Sequence, residues 1–73
     1  MKKDIRQKFG DKVRELRLAE GWSQEGFAAK LKLHRTYVGA IERGETNLTL
    51  RNILKVANVL SIKISDLLRE IGE

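Results

Sequence analysis

A short stretch of the chain brings together side chains that could bind another molecule. Arg35 and Thr36 are followed, at helical spacing, by Gly39 and Ala40. A solvated helix face normally carries long charged side chains and a core face carries large apolar ones, but this flank has neither. Glycine also weakens a helix by about 1 kcal/mol relative to alanine. One planar cation, one hydroxyl and two nearly bare positions therefore indicate a surface that a large partner approaches closely.

The composition excludes several other kinds of chemistry. The 73 residues include no cysteine, which rules out disulfides and cysteine-based metal sites, and one histidine, which leaves no histidine cage or triad. We expect no metal, no cofactor and no enzymatic activity, and no small-molecule effector is evident. The formal net charge is +5, and residues 1–17 hold seven Lys and Arg against three Asp and Glu. This basic excess favours a polyanionic partner.

The chain carries no signal for secretion or membrane insertion. No apolar run approaches the roughly 20 residues that a helix needs to cross a bilayer. The first residues, MKKDIRQKFGDKV, lack the apolar segment of a signal peptide. We therefore expect a cytoplasmic protein.

The elements that position this flank are all predicted to be helices. The chain has no proline and no alternating strand pattern, and its apolar residues recur at helical spacing throughout. This predicts one compact all-α domain, residues 1–73, with five helices. Their predicted bounds are about 5–19, 23–32, 35–43, 49–60 and 65–71.

Caps and apolar stripes give these helices their expected orientation. Ser23 is predicted to cap the second helix, with Trp22 and Phe27 as a hydrophobic staple, and Thr49 to cap the fourth. The residues expected to face the core are Ile5, Phe9, Val13, Leu16, Phe27, Ala28, Leu31, Leu33, Val38, Ile41, Leu50, Ile53, Leu54, Ala57 and Leu60, and the last helix carries Leu67, Leu68 and Ile71.

The second and third helices have the spacing of a helix-turn-helix. The stretch WSQEGFAAKLKLHRTYVGAIERGETNLTL resembles the DNA-binding core of the Cro/C1-type, XRE-like family, and the resemblance covers about residues 8–68. The residues that carry it are Ser23, Gln24, Glu25, Ala28, Tyr37, the IERG at 41–44 and Asn47. HRTYV followed by IERG and NLT is also similar to the controller proteins of restriction–modification systems. The resemblance implies a lambda-repressor-like domain with its helix-turn-helix core at about residues 23–43.

The resemblance also implies which residues meet DNA. In the family the third helix lies in the major groove, with its N-terminal end against the base edges. Arg35 would then pair with guanine, because its planar fork matches O6 and N7, while Gly39 and Ala40 provide clearance. The expected base contacts are Arg35, Thr36, Tyr37 and Ala40. The expected phosphate contacts are Ser23, Gln24, His34, Gly39, Arg43, Thr46, Asn47 and Arg51.

Glu42 needs a partner, because a free carboxylate on this helix would repel phosphate. The family pairs this glutamate with an arginine of the first helix, so the resemblance implies an ion pair with Arg17. For three other residues of this region, more than one interpretation stays open. Tyr37 can pack in the core as well as contact DNA, Asn47 can serve the turn alone, and His34 can simply begin the third helix.

Two features depart from the family pattern. Lys32 stands where the family often has glycine, which predicts a slightly strained turn or a different cap. Gly26 and Gly39 replace residues that favour helix, and each costs about 1 kcal/mol relative to alanine. The loss at Gly26 bears on the rigidity of the second helix.

Together these features predict a sequence-specific transcriptional regulator that binds double-stranded DNA. One helix in the groove covers only a few base pairs, so a palindromic operator requires a homodimer. The apolar C-terminal end supplies the expected dimer interface, namely Val59, Ile62, Ile64, Leu67, Leu68 and Ile71. One alternative is an antitoxin-type or other protein-interaction module, and the expected absence of a tail beyond the helices argues against it. The other is a membrane-surface protein that uses the first helix. Asp4, Asp11 and Glu15 on that helix argue against membrane binding.

Overall fold

Five helices make up the described part of the computed structural model, residues 4–72. They are α1 (Ile5–Ala19), α2 (Gln24–Leu31), α3 (Arg35–Glu42), α4 (Leu50–Val59) and α5 (Ile64–Glu70). No strand occurs in this part of the chain, so the predicted all-α fold is confirmed. The fifth helix begins at Ile64, one residue before the predicted Ser65.

Side-chain caps fix where the first four helices begin. The acceptors are Asp4, Ser23, His34 and Thr49, which accept from the backbone N–H groups of Arg6, Gly26, Thr36 and Asn52. Asp4 also forms a capping box with Gln7, which was not predicted from the sequence. The predicted caps at Ser23 and Thr49 are confirmed, and α2 forms across Gly26.

The turn between α2 and α3 is strained at Lys32. This residue adopts the left-handed conformation, with φ 59° and ψ 40°, and its backbone N–H donates to carbonyls of the last turn of α2. A non-glycine residue in this conformation costs roughly 1–2 kcal/mol. The predicted strain is confirmed, and the turn keeps the geometry that glycine would provide more easily.

The core lies between the helices and draws on all five of them. It consists of Phe9, Val13, Phe27, Ala28, Leu31, Val38, Ile41, Val56, Ala57, Leu60, Leu67 and Ile71. Phe27 is fully buried, and the ring of Trp22 stacks on it at a centroid distance of 5.9 Å. The predicted staple is confirmed, and Lys30 Nζ lies 4.7 Å from the Trp22 centroid on the outside. This packing joins the start of α2 to the core.

Some residues predicted to face the core are exposed instead. Leu50 is 81% exposed, and Ile5 and Leu54 are also at the surface. Val56, which was not predicted, is fully buried. The sequence of α4 has apolar residues on more than one face, so spacing alone allowed two orientations. The helix buries its C-terminal half, and Leu50 and Ile5 lie in first turns away from that packing.

Candidate nucleic-acid interface

A buried ion pair lies beneath the second and third helices. Arg17 Nε lies 2.7 Å from Glu42 Oε2 and Nη2 lies 3.0 Å from Oε1, with side-chain exposures of 7% and 2%. Arg17 Nη1 also donates to the backbone carbonyl of Trp22 at 2.7 Å. A bidentate, charge-assisted contact of this kind fixes geometry as well as charge. It anchors both α3 and the segment before α2 to α1, and it neutralises the carboxylate of α3.

Gln24 extends this network to the first residue of α2. Its Nε2 donates to Glu42 Oε1 at 3.0 Å. The carboxylate of Glu42 therefore accepts from the side chains of two residues on two other helices. We expected the Gln24 amide to approach a phosphate, but the structure uses its NH₂ group inside the protein. The first backbone N–H groups of α2 have no acceptor within that helix.

The N-terminal end of α3 is open to solvent. Arg35 and Thr36 are exposed, and Ala40, one turn further on, is half-buried. Arg35 Nη1 lies 3.7 Å from Glu25 Oε2 on α2, and both side chains are largely exposed. An exposed pair at this distance contributes little to stability. Arg35 is therefore free to exchange this partner for a stronger one.

Tyr37 packs against the core, which is one of the two roles left open for it. Its ring is half-buried against the core, and its hydroxyl accepts a hydrogen bond from Asn52 Nδ2 at 3.2 Å. This bond joins α3 to α4. Asn52 was not among the residues predicted from the sequence, since the two residues are 15 positions apart and no motif links them.

We predicted that Gly39 lies on an open flank of α3, and the structure contradicts this. Gly39 is buried, and a β-carbon built on it would lie 3.0 Å from Nη1 of Arg43. The predictions that Gly39 leaves open space for a partner and that it contacts phosphate are therefore wrong. The long side chain of Arg43 lies over the glycine, because a residue four positions later on a helix reaches back over that turn.

The other predicted phosphate contacts surround α3 at the surface. Ser23, His34, Asn47 and Arg51 are exposed, and Thr46 is half-buried. Ser23 and His34 already act as helix caps through Oγ and Nδ1. Thr46 Oγ1 donates to the Asn47 carbonyl at 3.4 Å, a long bond within the turn.

The predicted dimer interface separates into two groups. Leu67 is 0% exposed and Ile71 is also buried, so both belong to the core of one chain and their assignment to an interface is wrong. The helix α5 is short, and its apolar side packs inward while Lys12 of α1 pairs with Glu70 at 3.0 Å. Val59, Ile62 and Ile64 are half-buried at the edge of the core, and Leu68 is 40% exposed.

Within residues 4–72, no helix combines the length and apolarity needed to cross a membrane. In the same range, no group of three or more His, Asp or Glu residues could hold a metal ion.

Comparisons with known proteins agree with this geometry. A helix-turn-helix family model matches residues 13–67. Control protein C.BamHI of Bacillus amyloliquefaciens is 46% identical over 69 residues, which cover 93% of this chain and 85% of that protein. The crystal structure of the restriction–modification controller protein C.AhdI from Aeromonas hydrophila has a TM-score of 0.80 at 50% identity, covering 85% of this chain and 94% of that one. C.Esp1396I bound to a 25 base pair operator site has a TM-score of 0.82 at 27% identity, covering 96% and 92%.

The family model spans most of the chain, and it includes the buried Arg17–Glu42 pair and both helices of the helix-turn-helix. The chain therefore belongs to the Cro/C1-type, XRE-like helix-turn-helix family, and it is similar to restriction–modification control proteins such as C.BamHI.

Proposed function

We propose that this chain is a sequence-specific transcriptional regulator, the controller of a restriction–modification system, which binds double-stranded operator DNA through α3. The observation that carries the proposal is the exposed Arg35–Thr36 end of α3, on a helix whose carboxylate is buried and paired with Arg17. Neutralising Glu42 removes the charge that would keep this helix from DNA. C.Esp1396I, which has the same fold, has been solved bound to a 25 base pair operator site, and this supports binding to operator DNA.

The residues around α3 divide into proposed base contacts and proposed phosphate contacts. Arg35, Thr36, Tyr37 and Ala40 are the proposed base contacts, because the N-terminal end of a recognition helix meets the base edges. Ser23, Gln24, His34, Thr46, Asn47 and Arg51 are the proposed phosphate contacts, which set position on the duplex without reading sequence. For Gln24 the contact is made by the helix N-terminus, since its side chain is bound to Glu42.

The regulator is proposed to act as a homodimer. Two half-sites are needed because one helix covers few base pairs, and the two copies present their recognition helices to successive turns of the groove. Of the apolar side chains predicted for this contact, those that remain at least partly exposed are Val59, Ile62, Ile64 and Leu68. We place the protein in the cytoplasm, with no enzymatic activity and no cofactor.

Selection of bound DNA from a random duplex pool tests the proposal. We expect a palindromic consensus with two half-sites about one helical turn, or 10 base pairs, apart or at a multiple of that spacing. Affinity for the selected duplex should exceed that for a scrambled duplex by a factor of at least roughly 10³. A pool that shows no enrichment over repeated rounds, with folded protein, would contradict the proposed function.

A further inference from the structure

The guanidinium of Arg43 lies against Gly39 of α3 and pairs with Glu45, and both side chains of that pair are 57% exposed. A β-carbon on Gly39 would lie 3.0 Å from Arg43 Nη1 and 3.7 Å from both Cζ and Nη2, so the whole group rests on the glycine. Arg43 Nε lies 3.0 Å from Oε1 of Glu45 on its other side. An alanine at position 39 would require the guanidinium to shift slightly, and a larger side chain would require a larger shift.

The carboxylate that pairs with Arg43 belongs to a residue whose backbone follows a turn packed against α1. Gly44 has a φ of +71°, which lets the Glu45 N–H donate to the Ala40 carbonyl at 2.9 Å. A β-carbon on Gly44 would lie 2.8 Å from Gln7 Cα, so this turn is pressed against α1. Glu45 is therefore anchored to the same framework as α3.

The side chain of Arg43 runs back along the helix instead of extending away from it. Helical side chains lean over the turn that precedes them. Arg35 and Gly39 of α3 are followed at the same four-residue spacing by Arg43, which caps the C-terminal end of the helix, and the three form one row. The guanidinium of Arg43 therefore lies one turn back, beside Gly39 and in line with Arg35.

We propose that Arg43 is a second specificity-determining residue, seated on Gly39, which recognises a guanine beside the one contacted by Arg35. The inference rests on the proposed function and replaces the phosphate contact expected for Arg43 from its position in the sequence. Because Glu45 occupies Nε, the terminal nitrogens Nη1 and Nη2 carry the remaining donors, and this pair matches O6 and N7 of guanine. Gly39 is then a positioning residue that acts through Arg43.

Four variants separate this role from its alternatives. They are Arg43→Ala, Gly39→Ala, the double variant, and Gly26→Ala as a matched control. Gly26 is also inside a helix, and a β-carbon there meets only Ser23 Oγ, at 3.2 Å. Each variant is checked for folding by thermal melting, used in selection from a random duplex pool, and titrated with the wild-type consensus duplex and a scrambled duplex.

Arg43→Ala and Gly39→Ala are expected to lose preference at the same base pair of each half-site, with affinity falling roughly 5- to 150-fold for each half-site. Gly39→Ala keeps the charge, so its affinity for scrambled duplex should be unchanged. The double variant should bind no more weakly than Arg43→Ala alone. Gly26→Ala should select the wild-type consensus.

Other outcomes overturn the inference. If Arg43→Ala selects the wild-type consensus and weakens both duplexes equally, Arg43 contacts phosphate. If the two single effects multiply in the double variant, or Gly39→Ala changes nothing, Gly39 does not act through Arg43. If the wild-type chain itself selects no consensus, the proposed function fails first and the inference fails with it.

Discussion

Arg17 binds the carboxylate of Glu42 through two hydrogen bonds, of 2.7 and 3.0 Å, across an interval of 25 residues. The pair lies almost wholly out of solvent, so each charge depends on the other to replace its hydration by water. Through Gln24 and the Trp22 carbonyl it also fixes the segment that begins α2. The angle between the two helices of the helix-turn-helix is thereby tied to α1.

Removing one member of this pair should destabilise the fold strongly. Arg17→Ala or Glu42→Ala leaves an unpaired buried charge, at an expected cost of about 3–5 kcal/mol in the free energy of unfolding. Urea denaturation of both single variants and the double variant gives the coupling energy, which should exceed about 0.5 kcal/mol. Effects that add within error would show that the two side chains do not stabilise each other.

Two adjacent leucines of α5 should respond in opposite ways. Leu67 is fully buried, so Leu67→Ala should lower the free energy of unfolding by about 2–5 kcal/mol. Leu68 is 40% exposed, so Leu68→Glu should leave the monomer folded and weaken the proposed dimer. Sedimentation at micromolar concentration measures the second effect. A wild-type chain that sediments as an 8.4 kDa species with and without DNA would contradict the dimer.

The cap at Asp4 should make stability depend on acid pH. Hydrogen bonds from the Arg6 side chain and from the Arg6 backbone N–H hold the pKa of Asp4 below its ordinary value. The cap therefore stabilises the folded chain fully above the ordinary carboxyl range, and this contribution is lost as pH falls through the lowered folded-state pKa. Asp4→Asn keeps a capping oxygen that does not titrate.

Thermal melting of the wild-type chain and of Asp4→Asn, between neutral pH and about pH 3, measures how the stability of each depends on pH. We expect the two to differ around and below the ordinary carboxyl pKa range. As pH falls over this range, the melting temperature of the wild-type chain should decrease more than that of Asp4→Asn. Parallel pH profiles for the two proteins would exclude a contribution from this carboxylate.

The sequence predicted the helices and the Arg17–Glu42 pair better than the details of the surface. Helical spacing and turn glycines are local signals, and the ion pair followed from a family pattern that covers both partners. Leu67 and Leu68 could not be distinguished in this way, because a helix of seven residues is too short for its apolar spacing to select one face. Arg43 covers Gly39 through a side-chain conformation that depends on Glu45, and such a conformation cannot be predicted from spacing.

Arg35 is the residue whose replacement best separates base recognition from general attraction to DNA. It lies at the start of α3, where its weak contact with Glu25 leaves it available to a stronger partner. Arg35→Ala should cost about 1–3 kcal/mol per contact on the selected site and relax the choice of base at one position in each half-site. Affinity for selected and scrambled duplexes across a salt series measures both effects.

Arg51→Ala is the matched control, because it removes an equal charge from an exposed position at the start of α4. It should weaken all sequences alike and flatten the salt dependence by a slope of about 0.9 for each phosphate that the protein no longer neutralises. Equal weakening of both duplexes by Arg35→Ala, with the selected consensus unchanged, would make Arg35 a phosphate contact as well. Specificity would then have to come from Thr36, from Tyr37 or from the deformability of the DNA, which can discriminate sequences at positions that the protein does not touch.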